Sequence, residues 1–543
     1  MSQDNEWQVI GIPGAGKTTY LSGKIKFAAE KLGGSRILVS SFTRAAAKEL
    51  TGRDLPIPQE NIGTLHAICY RLMGNPTIAE SKIKQFNEAN PSYALSGDGP
   101  NMDESAADVH YETKADKVFA EIQVLRARMV PTNKWHPPHQ DLYQVWNRFK
   151  FHNDLVDFTD LIETVYNEGR TPRGVDIGVF DEAQDFTPLQ MALIRQWGEG
   201  MLKYLMIAGD EDQCIYDFVG ADSSVFISRE IPEDNRTVLD SSYRCPQAIQ
   251  AHAQAWIERI KQRIPKNQKP RADAEGELHH LPYHMNDGIN LTREIEGLLD
   301  AHKDQTVMVL ASCSYMLGEL IATLRHKGIP FGNRYRRRQR SWNPLHVSKG
   351  VSAAQKLVSY LKPEGPQIQQ DRLWSGRQLA LWTDLCASKG LFKRGGKSKL
   401  KDLGKMDECS DDTLLSIMYE SFEEGKINEA ISMAPQWLYS NLLPNNQRAM
   451  DYPLKVYDRE GLPGLEKEPR LLVGTIHSVK GGEADNVILF PDISMKANHK
   501  ALENQEAREV IIRQFYVGMT RARERLLICK PGGRFAVDLN QPK

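Results

Sequence analysis

The chain has 543 residues, too many for one hydrophobic core, which predicts roughly three or four globular units. Hydrophobic residues make up 41%, charged residues 26% and the net charge is -1, so a globally basic protein is excluded and any nucleic-acid surface must be a local patch. The seven cysteines form no CxxC pair, and the chain lacks both a signal-like apolar stretch and any run of about 18 apolar residues. We therefore expect a cytoplasmic protein without a membrane span.

The first predicted element is a short buried strand, "EWQVIGI", which leads through the loop "GIPGAGKTT" into a segment with helical spacing of apolar residues. The loop fits G-x-x-x-x-G-K-[ST], in which glycines let the backbone wrap phosphates and the first helix amides face negative charge. Lys17 would bridge the β- and γ-phosphates, and Thr18 would hold Mg²⁺. The predicted nucleotide-binding residues are Gly11, Gly14, Gly16, Lys17, Thr18 and Thr19. A glycine-rich turn without a ligand is the alternative, but the order strand, loop, helix favours a phosphate site.

The segment "DIGVFDEAQDF" predicts a second buried strand that ends in acidic residues. Ligands of open α/β sheets bind at the carboxyl ends of the strands, where these carboxylates would lie. Asp181 would hold Mg²⁺, directly or through water, and Glu182 would polarise the attacking water. Acids at a strand end can also be merely solvated or cap a helix, but the phosphate loop in the same chain favours the catalytic interpretation.

A third strand, in "YLMIAGDEDQCIYDFVGA", repeats the pattern of an apolar run followed by polar residues. Gln213 places a neutral amide at the strand tip, where it could sense a γ-phosphate without adding charge. Tyr216 and Phe218 follow at once, and they are either core residues or a platform on which a nucleobase stacks.

Further segments follow along the chain: "VSSFTRAAAKEL" from Val39, "GTLHAICYRL" from Gly63, "DFTDLI" from Asp157, "LDSSYRCPQAI" from Leu239, "VGTIHSVKGGEADNVILF" from Val473 and "RQFYVGMTRARERLLI" from Arg513. Together with the phosphate loop and the two polar strand tips, this ordered series resembles the motifs of superfamily 1 DNA helicases of the UvrD/Rep/PcrA type. So many motif-like segments in the same order as in the family would rarely arise by chance. It anchors residues 1–75, about 150–255 and 470–530.

The resemblance implies an α/β fold with two RecA-like P-loop domains, which bind ATP between them. Each domain would contain a parallel sheet flanked by helices and would be interrupted by a mostly helical insertion. The expected boundaries are 1–75 and 150–255 for the first RecA-like domain, 76–149 for its insertion, 256–345 and 455–543 for the second, and 346–454 for the second insertion. No nuclease domain is expected after the last motif.

The resemblance also assigns roles to residues of the later motifs. Arg244 and Arg521 match the family's arginine fingers, which stabilise charge on the transferring phosphoryl group. Tyr243 matches the residue that stacks on adenine, and Glu483 matches a glutamate that faces the ribose. Most arginines lie on the surface and most tyrosines pack in a core without a functional role, but the motif context favours the functional roles here.

Contacts with single-stranded DNA follow from the same resemblance. The positions that match the family's DNA track are Thr43, Arg44, Thr64, His66, Phe218, His477 and Ser478. Backbone and stacking contacts tolerate any sequence, so a strand can slide over them. Val219 replaces the arginine that usually follows the aromatic residue in the family, which puts that polar contact in doubt.

The most basic stretch of the chain is "GNRYRRRQRSWNP", residues 332–344. We expect Arg336, Arg338 and Trp342 to contact DNA, because a basic run beside a stacking aromatic suits phosphate and base contacts. A solvated charge run is the alternative. A weaker lysine-rich cluster in residues 389–401 is either a second duplex contact or an unstructured loop.

These features predict an ATP-dependent DNA helicase or translocase that uses ATP and Mg²⁺ and acts on single-stranded DNA and on junctions with duplex. Movement in the 3′→5′ direction is implied by the family alone. An ATP-switched DNA-binding regulatory subunit that does not unwind DNA is the second hypothesis, since it would share the ATP site. A metabolite kinase would leave the paired arginines unexplained.

The adenine-reading residue raises a separate expectation. Family members carry a glutamine that reads adenine upstream of the phosphate loop, and this chain offers only Gln3 and Gln8 there. Gln8 belongs to the predicted strand, and Gln3 lacks the surrounding motif. We therefore expect adenine to be held mainly by stacking on Tyr243, with relaxed selectivity for the base.

Overall fold

The computed structural model describes residues 5–42, 54–97, 99, 102–104, 111–336, 343, 345, 350–368, 371–406, 409–432 and 434–539. The chain forms two compact units. Unit 1 comprises residues 1–282, 310–314 and 475–543, and unit 2 comprises residues 283–309 and 315–474.

The strands of the described residues are numbered here in chain order. They are β1 (Glu6–Gly11), β2 (Ile37–Ser41), β3 (Ile62–Gly63), β4 (Ile177–Asp181), β5 (Tyr204–Gly209), β6 (Arg236–Leu239), β7 (Glu277–Leu281), β8 (Val307–Ala311), β9 (Gln367–Ile368), β10 (Asp371–Arg372), β11 (Leu471–Thr475), β12 (Ala484–Leu489) and β13 (Ala522–Cys529). The predicted strands around the phosphate loop and the two polar tips correspond to β1, β4 and β5.

The helices are numbered in the same way. They are α1 (Lys17–Leu32), α2 (Leu65–Leu72), α3 (Ile83–Ala89), α4 (Lys114–Ala127), α5 (Pro137–His152), α6 (Phe158–Asn167), α7 (Pro188–Gly200), α8 (Ser223–Ile227), α9 (Gln247–Ile257), α10 (Gly288–Ala301), α11 (Gly318–Lys327), α12 (Ala353–Leu361), α13 (Gly376–Thr383), α14 (Gly396–Leu403), α15 (Asp411–Ser421), α16 (Lys426–Ile431), α17 (Pro435–Ser440), α18 (Pro444–Glu460), α19 (Leu462–Glu466), α20 (Met495–Glu503) and α21 (Gln505–Met519).

The first sheet has six strands in the order β3-β2-β4-β5-β1-β6, and every pairing is parallel. Its register brings the ends of the motif-bearing strands to one edge. Ser41 lies opposite Asp181, Ile10 opposite Gly209, and Gly11 opposite Leu239. The phosphate loop and both polar tips therefore leave the sheet at the same carboxyl edge, where ligands of such sheets bind.

Residues that alternate along these strands pack into two different cores. Ile10 and Phe180 belong to the core on one face, with Leu193 of α7, while Val9 and Val179 belong to the other. The second core is completed by Leu21, Ile25 and Ala29 of α1. Burial on both faces explains why the strands are almost continuously apolar. Helices on both faces fix the orientation of the carboxyl edge.

A second sheet in unit 1 contains β12, β13 and β7. Within unit 1, β13 pairs in parallel with β12 on one side and β7 on the other. The prediction of an α/β chain with two parallel sheets flanked by helices is confirmed.

Helices α3, α4 and α5 form a small core of their own in unit 1, around the edge-to-face rings of Phe86 and Trp146. A buried ionic cluster adjoins this core. Asp157 caps α6 and accepts hydrogen bonds from Arg126 of α4 (2.7 Å), Lys150 of α5 (2.7 Å) and the indole of Trp146 (2.9 Å). The cluster ties α4 and α5 to the first turn of α6.

Unit 2 contains helices α10 to α19 and the short antiparallel pair β9–β10. Its helical part surrounds an aromatic cluster in which the ring of Tyr360 stacks on Trp374 (5.6 Å between centroids) and meets Trp382 edge to face (5.2 Å). The segment "INEAISMAPQWLYSNLL" forms two short helices, α16 and α17, and the second begins at Pro435, which lacks the amide needed to continue an earlier helix.

The seven cysteines all lie within the described ranges, and all are free thiols. Within the same ranges, no helix combines the length and the apolar character that crossing a lipid bilayer requires.

Candidate functional site

The loop after β1 has the backbone that a phosphate site needs. Gly14 and Gly16 have φ values of 73° and 75°, a conformation that other residues rarely adopt. A Cβ on Gly11 would lie 2.4 Å from Cγ of Lys17, so only glycine lets the lysine fold back over the loop. The Lys17 ammonium donates to the Gly11 carbonyl at 2.8 Å. The loop and its lysine are thus held in place by the protein alone.

The carboxylates after β4 face this loop. The hydroxyl of Thr18 donates to Asp181 at 3.5 Å, and Asp181 is almost fully buried. A hydroxyl oxygen and a carboxylate oxygen at this spacing fit the oxygen ligands that Mg²⁺ prefers. Glu182 has a left-handed φ of 55°, which is uncommon for a non-glycine residue and turns the chain sharply at the end of the strand. Its carboxylate accepts from Nε2 of Gln184 at 2.5 Å.

Basic groups surround Glu182. Burial alone would raise the pKa of this carboxyl, but Lys17, Lys480 and Arg521 outweigh burial and hold the pKa below its ordinary value. Glu182 is therefore ionised at neutral pH and can accept a proton.

The amide of Gln213 lies between two ionic groups at the tip of β5. Its Nε2 donates to Asp210 at 2.7 Å, and its Oε1 accepts from Arg521 at 3.1 Å. Arg521 lies after α21, so the contact joins residues 308 positions apart. Burial, followed by the charge of Arg244, lowers the pKa of Arg521. A guanidinium nevertheless stays charged in proteins, so this position favours an anion beside it.

Arg244 pairs with Glu483. Its Nε donates to the carboxylate at 2.6 Å, and Arg523 holds the other oxygen of the same carboxylate at 2.8 Å. The structure thus brings the predicted arginine finger and the predicted ribose-facing residue into direct contact with each other. A Cβ on Gly14 would lie 2.5 Å from Cβ of Arg244, so the phosphate loop is also packed against this arginine.

Tyr243 presents its ring to solvent beside the phosphate loop. Its backbone amide donates to the Gly14 carbonyl at 2.8 Å, and the side chain is 74% exposed. A large exposed aromatic ring fixed by its backbone next to a phosphate loop is well placed to stack on a nucleobase. Gln8, by contrast, is buried in β1, where its amide nitrogen donates to the Phe226 carbonyl at 2.9 Å and its oxygen accepts from Arg236 at 3.2 Å.

Four rings form an aromatic cluster beyond β5, defined by Phe42, Tyr216, Phe218 and His477. Tyr216 stacks on Phe42 with centroids 5.5 Å apart, and Phe218 lies 6.1 Å from Tyr216 and 6.0 Å from His477. Lys480 lies over the Tyr216 ring at 4.8 Å. Tyr216 is buried, which agrees with its interpretation as a core residue. Phe218 is only partly buried, which agrees with its interpretation as a platform for a nucleobase.

The predicted DNA residues differ in accessibility. His477 and Ser478 are each 3% exposed; the Ser478 hydroxyl donates to the Thr475 carbonyl at 2.8 Å, and a ring nitrogen of His477 lies 3.1 Å from the Ile215 carbonyl. Both side chains are engaged with the protein. Thr64 caps α2 by accepting from the Ala67 amide at 3.3 Å.

His66 is half-buried on α2, with its ring edge-to-face with Phe158 at 6.3 Å between centroids. Burial lowers the pKa of His66 to about 4, so its ring is neutral at neutral pH. Stacking and neutral hydrogen bonds, rather than charge, are therefore what this residue can offer to a ligand.

Several predicted residues lie outside the described ranges. They are Gln3, Thr43, Arg44, Arg338 and Trp342. Arg336 is described in unit 2, where its backbone amide donates to the Asn333 carbonyl at 3.2 Å.

Sequence reasoning missed two buried lysines. Lys480 donates to Asp185 at 2.5 Å and to the Gln213 carbonyl at 2.7 Å, which links both polar strand tips to the aromatic cluster. Lys480 lies in the family-like segment that begins at Val473, directly before two glycines, and that position could have identified it as a site residue. Lys266 contacts the acids after β5 from a polar loop with no motif-like pattern, so nothing in the sequence pointed to it.

The UvrD/REP helicase N-terminal domain matches residues 2–231, and the UvrD-like helicase C-terminal domain matches residues 471–529. The two matches cover just over half of the chain and include both polar strand tips and both ends of the Gln213–Arg521 contact. The chain belongs to the UvrD/REP helicase family, and its two parallel sheets are those of the family's two RecA-like domains.

Individual relatives are more distant. The chain is 25% identical over 291 residues to the "Probable DNA helicase II homolog" of Mycoplasma capricolum subsp. capricolum. This alignment covers 48% of the chain and 40% of the relative. It is 26% identical over 287 residues to the ATP-dependent DNA helicase PcrA of Staphylococcus epidermidis and 28% identical over 291 residues to that of Staphylococcus aureus. Each of these alignments covers 47% of the chain and 38% of the relative, so the chain spans well under two thirds of the relatives' length.

Proposed function

We propose that this protein is an ATP-dependent DNA helicase or translocase that moves on single-stranded DNA. The observation that carries the proposal is the 3.1 Å contact of Gln213, at the tip of β5, with Arg521. It joins residues of two distant motifs, and the charge of Arg521 also helps to lower the pKa of Glu182. A protein that only binds a nucleotide has no need of a second arginine, Arg244, that lies close to Arg521 and packs against the phosphate loop. Membership of the helicase family and the named activities of the relatives support the same conclusion.

ATP would bind with its phosphates on the loop of Gly11 to Thr19 and its adenine on the ring of Tyr243. Lys17 would exchange its bond with the Gly11 carbonyl for the β- and γ-phosphates. Thr18 and Asp181 would hold Mg²⁺, which supplies charge neutralisation on the phosphate oxygens.

Hydrolysis would proceed by attack of water on the γ-phosphorus. As the new P–O bond forms, the bond to the β-phosphate oxygen breaks, which yields ADP and inorganic phosphate. Glu182, ionised at neutral pH, would take a proton from the water. Arg244 and Arg521 would stabilise the charge that develops on the transferring group, with Gln213 orienting Arg521.

Single-stranded DNA would contact the aromatic cluster through Phe218, because stacking on an accessible ring is independent of sequence. We assign Thr43, Arg44, Thr64 and His66 to the same track. His477 and Ser478 would reach DNA only after their present protein contacts change. Contacts of Arg336, Arg338 and Trp342 with duplex or strand, and movement in the 3′→5′ direction, belong to the same proposal.

We further propose the domain boundaries predicted from the sequence and weak selectivity for the base. Both polar ends of the Gln8 amide are occupied inside the protein, which supports an adenine site based on stacking with Tyr243. Turnover of ATP and GTP at saturation tests selectivity, and a strong preference for ATP would show that another residue reads the adenine edge.

Strand displacement on duplexes with a 3′ tail or a 5′ tail tests the main proposal. Displacement of the 3′-tailed substrate only, dependent on ATP and Mg²⁺ and lost in Lys17→Ala, is the expected result. ATP-dependent DNA binding without displacement on either tail would instead support a regulatory subunit that binds DNA under control of ATP.

A further inference from the structure

A cluster of buried charges lies close to the proposed catalytic site, in the acidic run after β5. Asp210, Glu211 and Asp212 are consecutive, and each is at most 1% exposed. Three buried carboxylates on adjacent residues would repel one another and would lose hydration, which is strongly unfavourable without compensating charge.

A single lysine contacts all three acids. The Nζ atom of Lys266 lies 2.6 Å from Asp210, 2.9 Å from Glu211 and 2.8 Å from Asp212, and its side chain is 0% exposed. Arg263 adds a second cation, which pairs with Asp212 at 2.5 Å and 3.0 Å. Lys266 is therefore the cation that forms a direct ion pair with Asp210 within the described part of the chain.

The two oxygens of Asp210 have different partners. Oδ1 accepts from Lys266 at 2.6 Å, while Oδ2 accepts from Nε2 of Gln213 at 2.7 Å. An ionised carboxylate can only accept hydrogen bonds, so it fixes the nitrogen end of the amide toward itself. The oxygen end must then point the other way, where Arg521 donates to it at 3.1 Å.

A protonated Asp210 would allow the opposite arrangement. Its O–H could donate to Oε1 of Gln213, and the amide would rotate and turn its NH₂ group toward Arg521, where two donors would face each other. Burial pushes the pKa of Asp210 upward, and Lys266, followed by Lys17, reverses that shift. Among the described residues, Glu211, Asp212 and Tyr516 also act on this carboxyl, and Arg263 lies on the far side of Asp212.

We propose that Lys266 is a positioning residue for ATP hydrolysis: it keeps Asp210 ionised and thereby fixes the amide orientation in which Gln213 presents its oxygen to Arg521. Lys266 acts through Asp210 and Gln213 and does not itself touch the nucleotide. The inference deepens the proposed function and rests on it, because it assumes that Arg521 acts on the transferring phosphate.

The test compares wild type with Lys266→Met, Asp210→Asn, the double variant and Arg263→Met. Arg263→Met is the matched control, since it removes a buried cation from the same cluster without removing the partner of Asp210. For each protein, kcat for ATP hydrolysis is measured from pH 6 to 9 with and without a single-stranded oligonucleotide. The Kd for a fluorescent ATP analogue and the melting temperature are measured in parallel.

We expect Lys266→Met to lower kcat about tenfold or more at pH 6.5, with little change in Kd, because the misplaced contact matters mainly in the transition state. The loss should shrink toward pH 9, since Asp210 without its cation ionises only as the pH rises. Asp210→Asn should show the same loss at every pH, because its NH₂ group faces Gln213 while its oxygen faces Lys266. The double variant should be no slower than Asp210→Asn, and Arg263→Met should keep the wild-type pH profile.

A kcat profile of Lys266→Met that runs parallel to wild type, or an Arg263→Met profile with the same pH-dependent loss, would overturn the proposal. If Lys266→Met fails to fold, Asp210→Asn decides alone, and wild-type kcat in that variant refutes the role. Hydrolysis that DNA does not stimulate in the wild type would contradict the proposed helicase function, while the same variants would still be compared on basal hydrolysis.

Discussion

The guanidinium of Arg521 lies 3.1 Å from the amide oxygen of Gln213, both side chains are buried, and the charge of Arg521 helps to lower the pKa of Glu182. Arg521→Lys should therefore lower kcat for ATP hydrolysis by roughly 10³-fold, because a single ammonium cannot contact Gln213 and the phosphate at once. Steady-state hydrolysis with saturating oligonucleotide measures the effect. Arg534→Lys, at an exposed position, serves as the control, and an Arg521→Lys enzyme within about threefold of wild type would contradict the finger role.

The phosphate loop gives a prediction about binding. Lys17→Ala should abolish ATP hydrolysis and weaken nucleotide binding by about 2 kcal/mol or more, the scale of a charge-assisted contact. Because Lys17 does not contribute to the aromatic cluster, binding of single-stranded DNA in the absence of nucleotide should remain near wild type. Fluorescence titrations of each ligand measure both. Lys24→Ala, on the exposed side of the same helix, should leave both affinities unchanged.

Glu182 gives a prediction about pH. Its pKa is held below the ordinary value, so a base with this pKa is ionised throughout the neutral range, and kcat should fall only as acidic pH protonates it. Glu182→Gln should lower kcat by about 10²- to 10⁴-fold while ATP binding is retained. A wild-type profile in which kcat already falls by half between pH 8 and pH 7 would show that another group is the base.

Much of this site could be predicted because its chemical groups belong to short sequence patterns. The strand before the phosphate loop, the acids after β4 and the amide after β5 each follow an apolar run, and parallel strands bring such tips to one edge. The pairing of Arg244 with Glu483 was not predictable from the sequence. Arg244 was assigned to the transferring phosphoryl group and Glu483 to the ribose, and a contact between side chains 239 positions apart has no local sequence signal. Lys266 was missed for the same reason.

Accessibility was the other quantity that the sequence did not reveal. His477 and Phe218 were both placed on the DNA track from their motifs, yet His477 is buried while Phe218 is partly accessible. Which side of a loop faces solvent depends on packing against residues far along the chain, such as the Ile215 carbonyl beside the His477 ring. Motif position alone contains no information on that packing.

The aromatic cluster gives a prediction about DNA. Phe218→Ala should weaken binding of single-stranded DNA by about 1 to 3 kcal/mol, the usual contribution of one stacked base, without sequence preference. It should raise the oligonucleotide concentration needed for half-maximal stimulation of hydrolysis and leave basal hydrolysis unchanged. Phe27→Ala removes an aromatic residue from α1 that is more exposed than Phe218, and it should have no effect on either quantity. Equal losses in the two variants would mean that the ring of Phe218 has no special role.

Glu80 gives a prediction about stability. Burial, and then the charge of Asp157, raises the pKa of Glu80 to about 7. An acid whose folded pKa is raised stabilises the fold below its unfolded pKa and loses that contribution as the pH rises through the folded value. Among the described residues, its Oε2 has no hydrogen-bond partner, whereas its Oε1 accepts from the Phe158 amide at 3.1 Å. Glu80→Gln should keep the latter bond.

The expected result is therefore a variant that is about 1 to 3 kcal/mol more stable than wild type at pH 8 and no more stable at pH 4.5. Urea denaturation followed by circular dichroism at the two pH values measures the difference. Glu88→Gln, an exposed acid on α3, is the control and should change stability by less than about 0.5 kcal/mol at either pH. A gain in stability that is equal at both pH values would rule out titration of Glu80 as its cause.

The close packing of Gly14 against Arg244 constrains how this chain can diverge over evolution. A side chain at position 14 would collide first with Arg244, whose Cβ would lie 2.5 Å from the new Cβ, so the substitution would displace the proposed arginine finger. Substitutions at position 14 are thereby coupled to substitutions at position 244, some 230 residues further along the chain. Among descendants of this sequence, the two positions should change together or not at all.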